Sequence, residues 1–240
     1  IRMPSNYEER KKYLLEKILL AQQFPTIDSL SDRLCISPLT LQNEISKVRN
    51  ELATRNLHVR IKNNRISIIG PEREKHRLIV DLINKELESS SFSLEGIQKF
   101  FSRVDLNTVK KIIVDALKEN EYFLDDYSLL NYIIHIAVFI ELNGGDNASI
   151  QDSSSHKIDF HEIVTPQVYS MIEKIYSELI CIYGNNYSIE NFCEVSLPMM
   201  TSIVPNHITK LHIDQLGELV GDEIEELILE IVRAVRNTYS

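Results

Sequence analysis

Two amphipathic patterns follow one another between residues 26 and 52. Ile27, Leu30 and Leu34 recur at the spacing of one helical face, which predicts a short helix. A break at residues 35–36 separates this helix from a second, longer apolar stripe. That stripe consists of Leu41, Ile45, Val48 and Leu52. Two helices joined by a tight break are typical of a helix-turn-helix, which places its second helix in the major groove of DNA.

The starts of both helices carry residues suited to those positions. Thr26 precedes the first helix and Ser37 the second, and each hydroxyl can accept a hydrogen bond from the first turn. Pro38 follows at the first helical position, where a missing N–H is harmless. The outward face of the second helix then carries a mainly polar set: Leu39, Thr40, Gln42, Asn43, Ser46 and Lys47.

This outward set supplies the candidate DNA-reading residues. Gln42 and Asn43 are the candidates for adenine, because a side-chain amide bonds N6 and N7 of that base together. We expect Thr40, Ser46 and Lys47 to contact bases or phosphates. The sequence therefore predicts double-stranded DNA as a partner.

The segment after the second helix alternates with a period of two. Leu57, Val59 and Ile61 alternate with polar residues, which is the pattern of a β-strand. The asparagines at 63–64 suit a two-residue hairpin turn because asparagine tolerates positive φ, and residues 66–68 form the return strand. This hairpin is a predicted wing, and its cations are placed to meet phosphates. They are Arg60, Lys62 and Arg65. The alternative is a helix–hairpin packing unit that binds no nucleic acid.

The rest of the chain is patterned almost wholly as helices. The predicted helices span residues 7–22, 72–88, 92–101, 106–118, 127–142, 167–183, 189–202 and 213–239. A polar, glycine-containing stretch at 143–156 predicts the clearest loop. The fold class is therefore mainly α: an N-terminal winged helix-turn-helix with a small β-hairpin wing, followed by an all-α helical bundle.

Charge divides the chain into a basic head and an acidic body. Residues 1–65 hold twelve Lys and Arg against seven Asp and Glu, and the remainder holds fourteen against twenty-eight. This asymmetry fits a DNA-binding module joined to a part that does not bind DNA.

Cysteine usage and hydropathy indicate a cytoplasmic protein. The three cysteines are odd in number and far apart, so neither a disulfide framework nor zinc spacing is visible. Cys35 and Cys193 lie in apolar contexts, and we expect both to be small core residues. No apolar run is long enough for a membrane span and no signal peptide is visible. The chain starts without Met and ends within a helical pattern, as a fragment of a longer protein would.

A histidine occupies the middle of the most apolar helical pattern. The segment 131–142 is apolar nearly all round, as a helix buried in a core or an interface is. His135 lies there, with Tyr132 three residues before it and Phe139 four residues after it. Such a histidine is either a packing residue with one hydrogen bond or a phosphoryl acceptor. In the second case it would gain about two negative charges, by analogy with other phosphorylations.

The order of these features resembles a known family. A helix-turn-helix, a wing, "IIGPEREKHR" and then "LLNYIIHIAVFIE" are similar to transcription regulators that carry phosphotransferase-system regulation domains (PRDs). These include the mannitol-operon activators and the group of Mga and the anthrax-toxin activator. The resemblance covers nearly the whole chain. Its most specific element is the histidine-bearing helix, with Asn131, Ile134, His135 and Ala137 in the family's order.

The resemblance implies a regulated DNA-binding protein. It makes His135 a phosphorylation site served by phosphocarrier proteins of the sugar phosphotransferase system, and phosphorylation would change dimerisation and transcription. Many of these domains carry a second histidine in a later helix, whereas the counterpart here, residues 190–200, has none. The implied domains are a winged helix-turn-helix at 1–70, a connecting helix and linker at 71–92, a PRD-like domain at 93–205, and a connecting helix starting a second such domain at 206–240.

Three other classes compete with this interpretation. RNA-binding antiterminators pair the same helical domains with a short β-rich module, but the first 56 residues here are helical in pattern. A ligand-sensing helix-turn-helix repressor with a helical dimerisation domain is the main alternative, and it requires an internal pocket. An enzyme is not expected, since no Gly-rich phosphate loop, HExxH motif or nucleophile elbow is present.

The predicted partners are thus duplex DNA, a second copy of the chain and phosphotransferase-system phosphocarriers, without a membrane. No cofactor and no metal are expected. One weak metal candidate, formed by His156, Asp159, His161 and Glu162, lacks a nearby partner set.

Overall fold

The computed structural model describes residues 4–21, 23–89, 93–143, 160–184 and 188–205. Within these ranges the chain forms ten helices and two small antiparallel sheets, which confirms the mainly α class. The predicted loop beyond residue 143 and the predicted last helix at 213–239 lie outside the described residues.

Three helices open the chain, and capping fixes where they begin. Helix α1 spans Tyr7–Leu19, α2 spans Ile27–Leu34 and α3 spans Pro38–Ala53. The Thr26 hydroxyl accepts the N–H of Ser29 and the Ser37 hydroxyl accepts that of Thr40, each satisfying a donor that the helix leaves free. The sequence predicted both caps correctly, whereas α1 ends three residues earlier than residue 22.

The tight turn between α2 and α3 is made by a left-handed residue. Cys35 has φ of 52°, and its N–H bonds the carbonyls of Ser31 and Asp32. Its side chain is exposed, so the expectation that Cys35 is a core residue was wrong. Cys35 lies at the surface of the turn, where its Sγ donates to the Asp32 carbonyl of α2 at 3.6 Å. Cys193 is buried, as predicted.

The wing is a two-stranded hairpin. Strand β1 spans His58–Lys62 and β2 spans Arg65–Ile69, with both intervening asparagines at positive φ. The hairpin is fixed to the start of α2, since Ile66 donates to the Pro25 carbonyl. The apolar alternation predicted for the first strand fades along its length: Leu57 is buried, but Ile61 at the tip is 45% exposed.

A glycine joins the wing to the next helix at close range. Gly70 has φ of 143°, and a Cβ atom there would lie 2.6 Å from the Asn56 carbonyl oxygen. Any other residue would therefore be strained and would clash with the backbone. Helix α4, Glu72–Ser89, starts two residues later and packs against α1 and against helix α7 (Asp126–Asn143), so it connects the wing to the helical body.

The helical body is built around one central helix. Helices α5 (Leu94–Gln98) and α6 (Leu106–Glu119) precede α7 (Asp126–Asn143), and α8 (Phe160–Ile163), α9 (Pro166–Tyr183) and α10 (Ile189–Met200) follow it. Helix α7 packs against α4, α6 and α10. Helix α5 is much shorter than the predicted 92–101. A second small sheet, β3 (Tyr122–Phe123) with β4 (Val204–Pro205), was not predicted.

Apolar packing is continuous from the first helix to the last described one. Leu14 in α1 and Met199 in α10 belong to one cluster of buried side chains. Phe192 is fully buried in α10, and its ring lies beside those of Phe139 and Tyr176. The helical body therefore has a well-packed core against which α7 is fixed.

Candidate DNA interface and regulatory histidine

Helix α3 separates a buried face from a polar face. The four apolar residues of its predicted stripe are buried, at 0–4% exposure. They pack this helix against α2 and β1. The residues between them, including Gln42 and Asn43, are exposed, with the exception of Glu44. The helix therefore offers its polar side to solvent rather than to the interior of the protein.

The candidate reading residues differ in how their polar groups are used. The side-chain amides of Gln42 and Asn43 are exposed and make no hydrogen bond with the described residues, so they are free to bind a ligand. Thr40 and Ser46 are exposed, but their hydroxyls bond to the Ser37 hydroxyl and the Gln42 carbonyl. The Lys47 ammonium lies 5.1 Å from the centre of the Tyr7 ring.

One exposed apolar residue lies beside these amides. Leu39, the second residue of α3, is 68% exposed. It lies three and four residues before Gln42 and Asn43, and therefore on the same face. The sequence pattern placed Leu39 on this face without assigning it a role. Its exposure gives the face a contact suited to the methyl group of thymine.

A buried ion pair holds the inner side of α3 against α1. Glu44 is only 6% exposed, and its carboxylate accepts hydrogen bonds from Nε and Nη2 of Arg10 in α1, at 3.0 and 2.6 Å. Burying a carboxylate is costly unless a cation pairs with it, so this contact fixes α3 on α1. This ion pair was not predicted from the sequence. The available signal was a glutamate in phase with the apolar stripe.

The wing cations fall into two groups. Arg60 and Lys62 are exposed on β1 and make no ion pair with the described residues. Arg65 is also exposed, but its Nη1 donates to the Phe24 carbonyl at 3.0 Å, so part of its guanidinium anchors the hairpin. Lys62 lies at the end of β1, next to the turn.

His135 lies inside the body but is not sealed from solvent. It is half-buried on α7, where it borders a cleft of about 50 Å³ between this helix and α10. Ser128, Asn131 and Ser202 also line this cleft. Burial lowers the pKa of His135 to about 4, with a smaller effect from His76. The ring is therefore neutral at pH 7, and one of its nitrogens keeps a lone pair.

A second histidine lies beside the first, although sequence reasoning did not find it. His76 comes from α4, and its ring centroid lies 5.1 Å from that of His135. Its Nε2 is 3.0 Å from the His135 carbonyl oxygen. The only signal in the sequence was a histidine in a helix following the wing, and nothing in its spacing pointed to residue 135.

Helix α10 packs on α7 without contributing a histidine. The two helices are linked by a buried hydrogen bond of 3.0 Å between the Tyr132 and Ser196 hydroxyls. Burial raises the pKa of the Tyr132 hydroxyl well above its usual range, so it stays protonated. This contact holds α10 against α7, and the sequence of α10 contains no histidine.

Metal and membrane features were searched over the described ranges. They contain no group of three or more His, Cys, Asp or Glu side chains placed to hold a metal ion. His156 and Asp159 lie outside those ranges. None of the helices described is both long enough and apolar enough to cross a membrane.

Two similarities with known proteins bear on this geometry. Residues 3–83 match the model of the Mga helix-turn-helix domain, which spans α1, the helix-turn-helix, the wing and most of α4. The match supports the interpretation of this chain as a DNA-binding transcription regulator. The chain is also 24% identical over 241 residues to the probable licABCH operon regulator of Bacillus subtilis (strain 168). That alignment covers 97% of this chain and 35% of the relative, so the chain spans about a third of the relative's length.

Proposed function

We propose that this chain is the DNA-binding and regulatory part of a bacterial transcription activator of the PRD-containing type. The observation that carries the proposal is the exposed, unpaired amide pair Gln42 and Asn43 on the outer face of α3. In the helix-turn-helix arrangement this face enters the major groove. The similarity of residues 3–83 to the Mga helix-turn-helix domain supports the same role.

The proposed contacts divide by chemistry. Gln42 and Asn43 read adenine edges, while the hydroxyls of Thr40 and Ser46 and the Lys47 ammonium contact nearby bases or phosphates. The wing cations follow the phosphate backbone: Arg60, Lys62 and Arg65. Groove contacts set sequence preference, whereas phosphate contacts set overall affinity and its dependence on salt.

Salt dependence tests the wing. Duplexes selected by the protein from a random pool are titrated at several salt concentrations. Lys62→Ala should weaken binding to all of them and flatten the salt slope by about one unit, because one phosphate contact is lost. Lys85→Ala, an exposed lysine on α4 away from the wing, is the matched control and should leave the slope unchanged. An unchanged slope for Lys62→Ala would remove the wing from the interface.

Base preference tests the helix. Asn43→Ala should relax selection at one base position, at about 1–3 kcal/mol, without altering the salt slope. Failure of the wild-type protein to retain any duplex from the pool would overturn the DNA-binding proposal as a whole.

Regulation is proposed to act at His135. The lone pair of its neutral ring attacks phosphorus of a phosphohistidine on a phosphocarrier protein, the donor P–N bond breaks, and the electron pair stays with the donor ring. The other ring nitrogen of His135 releases its proton to solvent and the donor ring takes up a proton, so both rings end neutral. The low pKa supports this step because a protonated ring has no lone pair to give. The added charge, about two units, would then shift the packing of the body and the balance between monomer and dimer.

Labelling tests this step. Phosphoenolpyruvate with the general phosphotransferase proteins should transfer phosphate to the wild-type chain and not to His135→Gln. An unlabelled wild-type chain, in a reaction where the carrier itself is labelled, would reduce His135 to a packing residue.

Three further features belong to the same proposal. They are the division into domains at residues 70, 92 and 205, self-association of the chain, and a cytoplasmic location.

One observation favours the alternative of a ligand-sensing repressor. A cleft of about 470 Å³ lies between the helix-turn-helix and the segment after α5, and Lys17, Arg33 and Lys99 contribute cations to it. That volume suits a small molecule. An anionic metabolite that altered DNA affinity equally in the wild type and in His135→Gln would favour this alternative.

A further inference from the structure

The contact between His76 and His135 joins the two halves of the molecule. His76 lies on α4, one turn after the helix leaves the wing, and His135 lies at the centre of the helical body. The residues are 59 positions apart in sequence, yet their ring centroids are 5.1 Å apart with an interplanar angle of 43°.

The hydrogen bond of His76 fixes which of its nitrogens carries the proton. A carbonyl oxygen can only accept, so Nε2 of His76 donates to the His135 carbonyl at 3.0 Å. In the neutral ring, Nδ1 therefore keeps a lone pair. Burial lowers the pKa of His76, and the Arg77 guanidinium lowers it further, against the opposing effect of the carbonyl. The resting protein thus holds two neutral imidazoles in contact.

We propose that His76 binds the phosphoryl group of phosphorylated His135 as an imidazolium and transmits this change to α4. The inference rests on the proposed phosphorylation of His135. On phosphorylation, the Nδ1 lone pair of His76 takes a proton from water, and the ring gains a second N–H donor. The resulting bond is charge-assisted, and such bonds are about twice as strong as those between neutral groups.

The electrostatic surroundings favour this response. An opposite charge within about 4–6 Å moves a pKa by about 1 to 3, and the phosphoryl group carries about two such charges. Among the described groups, those acting on the His76 ring are the His135 carbonyl from α7 and Arg77 on α4 itself.

The position of His76 gives the bond a mechanical consequence. Helix α4 begins two residues after β2, through the tightly packed Gly70. Near its other end, α4 is tied to α1 by an ion pair between Glu86 and Lys12. A displacement of His76 toward α7 would therefore also move the start of α4, which is joined directly to the wing. Phosphorylation inside the body would alter the DNA-binding module through this one residue.

Titration of His76 tests the inference directly. The probe is the wild-type chain with isotope-labelled histidine rings, compared before and after phosphorylation by the phosphoenolpyruvate-dependent carrier system. The His76 resonance should titrate at a pKa higher by about 1 or more in the phosphorylated protein. A structural contact alone would not produce this shift.

A variant links the titration to DNA binding. His76→Gln keeps a donor for the carbonyl but cannot become a cation. Phosphorylation should change the duplex dissociation constant of the wild type by about fivefold or more, the lower range of common couplings, and that change should be lost in His76→Gln. Lys85→Gln, on the exposed side of the same helix, should keep it.

The outcomes separate the inference from the function on which it rests. An unlabelled His135 would overturn both. A labelled His135 with an unshifted His76 titration would overturn only the role of His76. Retention of the full phosphorylation effect in folded His76→Gln would do the same.

Discussion

Helices α3 and α7 use polar side chains in opposite ways. Helix α3 buries one stripe and leaves Gln42 and Asn43 exposed to solvent. Helix α7 is buried over most of its length, and its half-buried His135 packs beside another imidazole. The first helix is suited to a large external partner, because its polar face is open.

The second helix is suited to a change of state. A charge added at the half-buried His135 is only partly screened by solvent, so it also acts on the surrounding protein. Each helix also buries a carboxylate. Glu44 in α3 is paired with the Arg10 guanidinium, whereas Glu141 in α7 is bonded by Ser102 and the Arg103 N–H. Three experiments sharpen or break this contrast.

The largest effect on stability is expected at the buried ion pair between Arg10 and Glu44. Arg10→Ala leaves the Glu44 carboxylate buried without a cation, so the free energy of unfolding should fall by about 3 kcal/mol, as measured by urea denaturation. The matched control is Lys11→Ala. Its partners, Glu8 and Glu51, are solvent-exposed, and the loss should stay below about 1 kcal/mol. Equal losses would show that Glu44 is hydrated.

The next effect is a dependence of stability on pH. Folding lowers the pKa of His135 from 6.5 to about 4. Between these two pH values, the His135 ring is mainly protonated in the unfolded chain and mainly neutral in the folded chain. Stability is therefore lost as pH falls from 6.5 toward 4, by about 2 kcal/mol between pH 7 and pH 5. His76 adds a loss in the same direction.

Substitution isolates this contribution. His135→Gln should remove about 2 kcal/mol of the decline in unfolding free energy over that pH range. His58→Gln, at an exposed position of the wing, should leave the decline as it is. A His135→Gln protein that declines as steeply as the wild type would place His135 in a solvated environment, and the contrast with α3 would fail.

The smallest effect concerns Leu39. If this side chain covers a thymine methyl group, then replacing thymine by uracil at one position should weaken wild-type binding by about 0.8 kcal/mol. Leu39→Ala should bind both duplexes alike. Ile182→Ala removes a comparably exposed side chain from α9 and should keep the preference for thymine. Indifference of the wild type to every such replacement would leave Leu39 without a reading role.

Much of the N-terminal module could be predicted from the sequence. Its caps at Thr26 and Ser37, its buried stripe and its asparagine turn are all local features, set by neighbours within a few residues. Local prediction failed where a side chain's direction depended on the fold. Ile61 follows the strand pattern, but it lies at the tip of a hairpin that extends beyond the core.

The candidate regulatory site divides in the same way. The sequence by itself determined that His135 lies in a buried helix, because the segment 131–142 is apolar nearly all round. It also determined the polar face of α3. Only the tertiary structure decided that His76 meets His135 and that Arg10 meets Glu44, since these pairs are 59 and 34 positions apart. Periodicity reports which face of a helix is buried, whereas the partner on that face is chosen by how the helices pack.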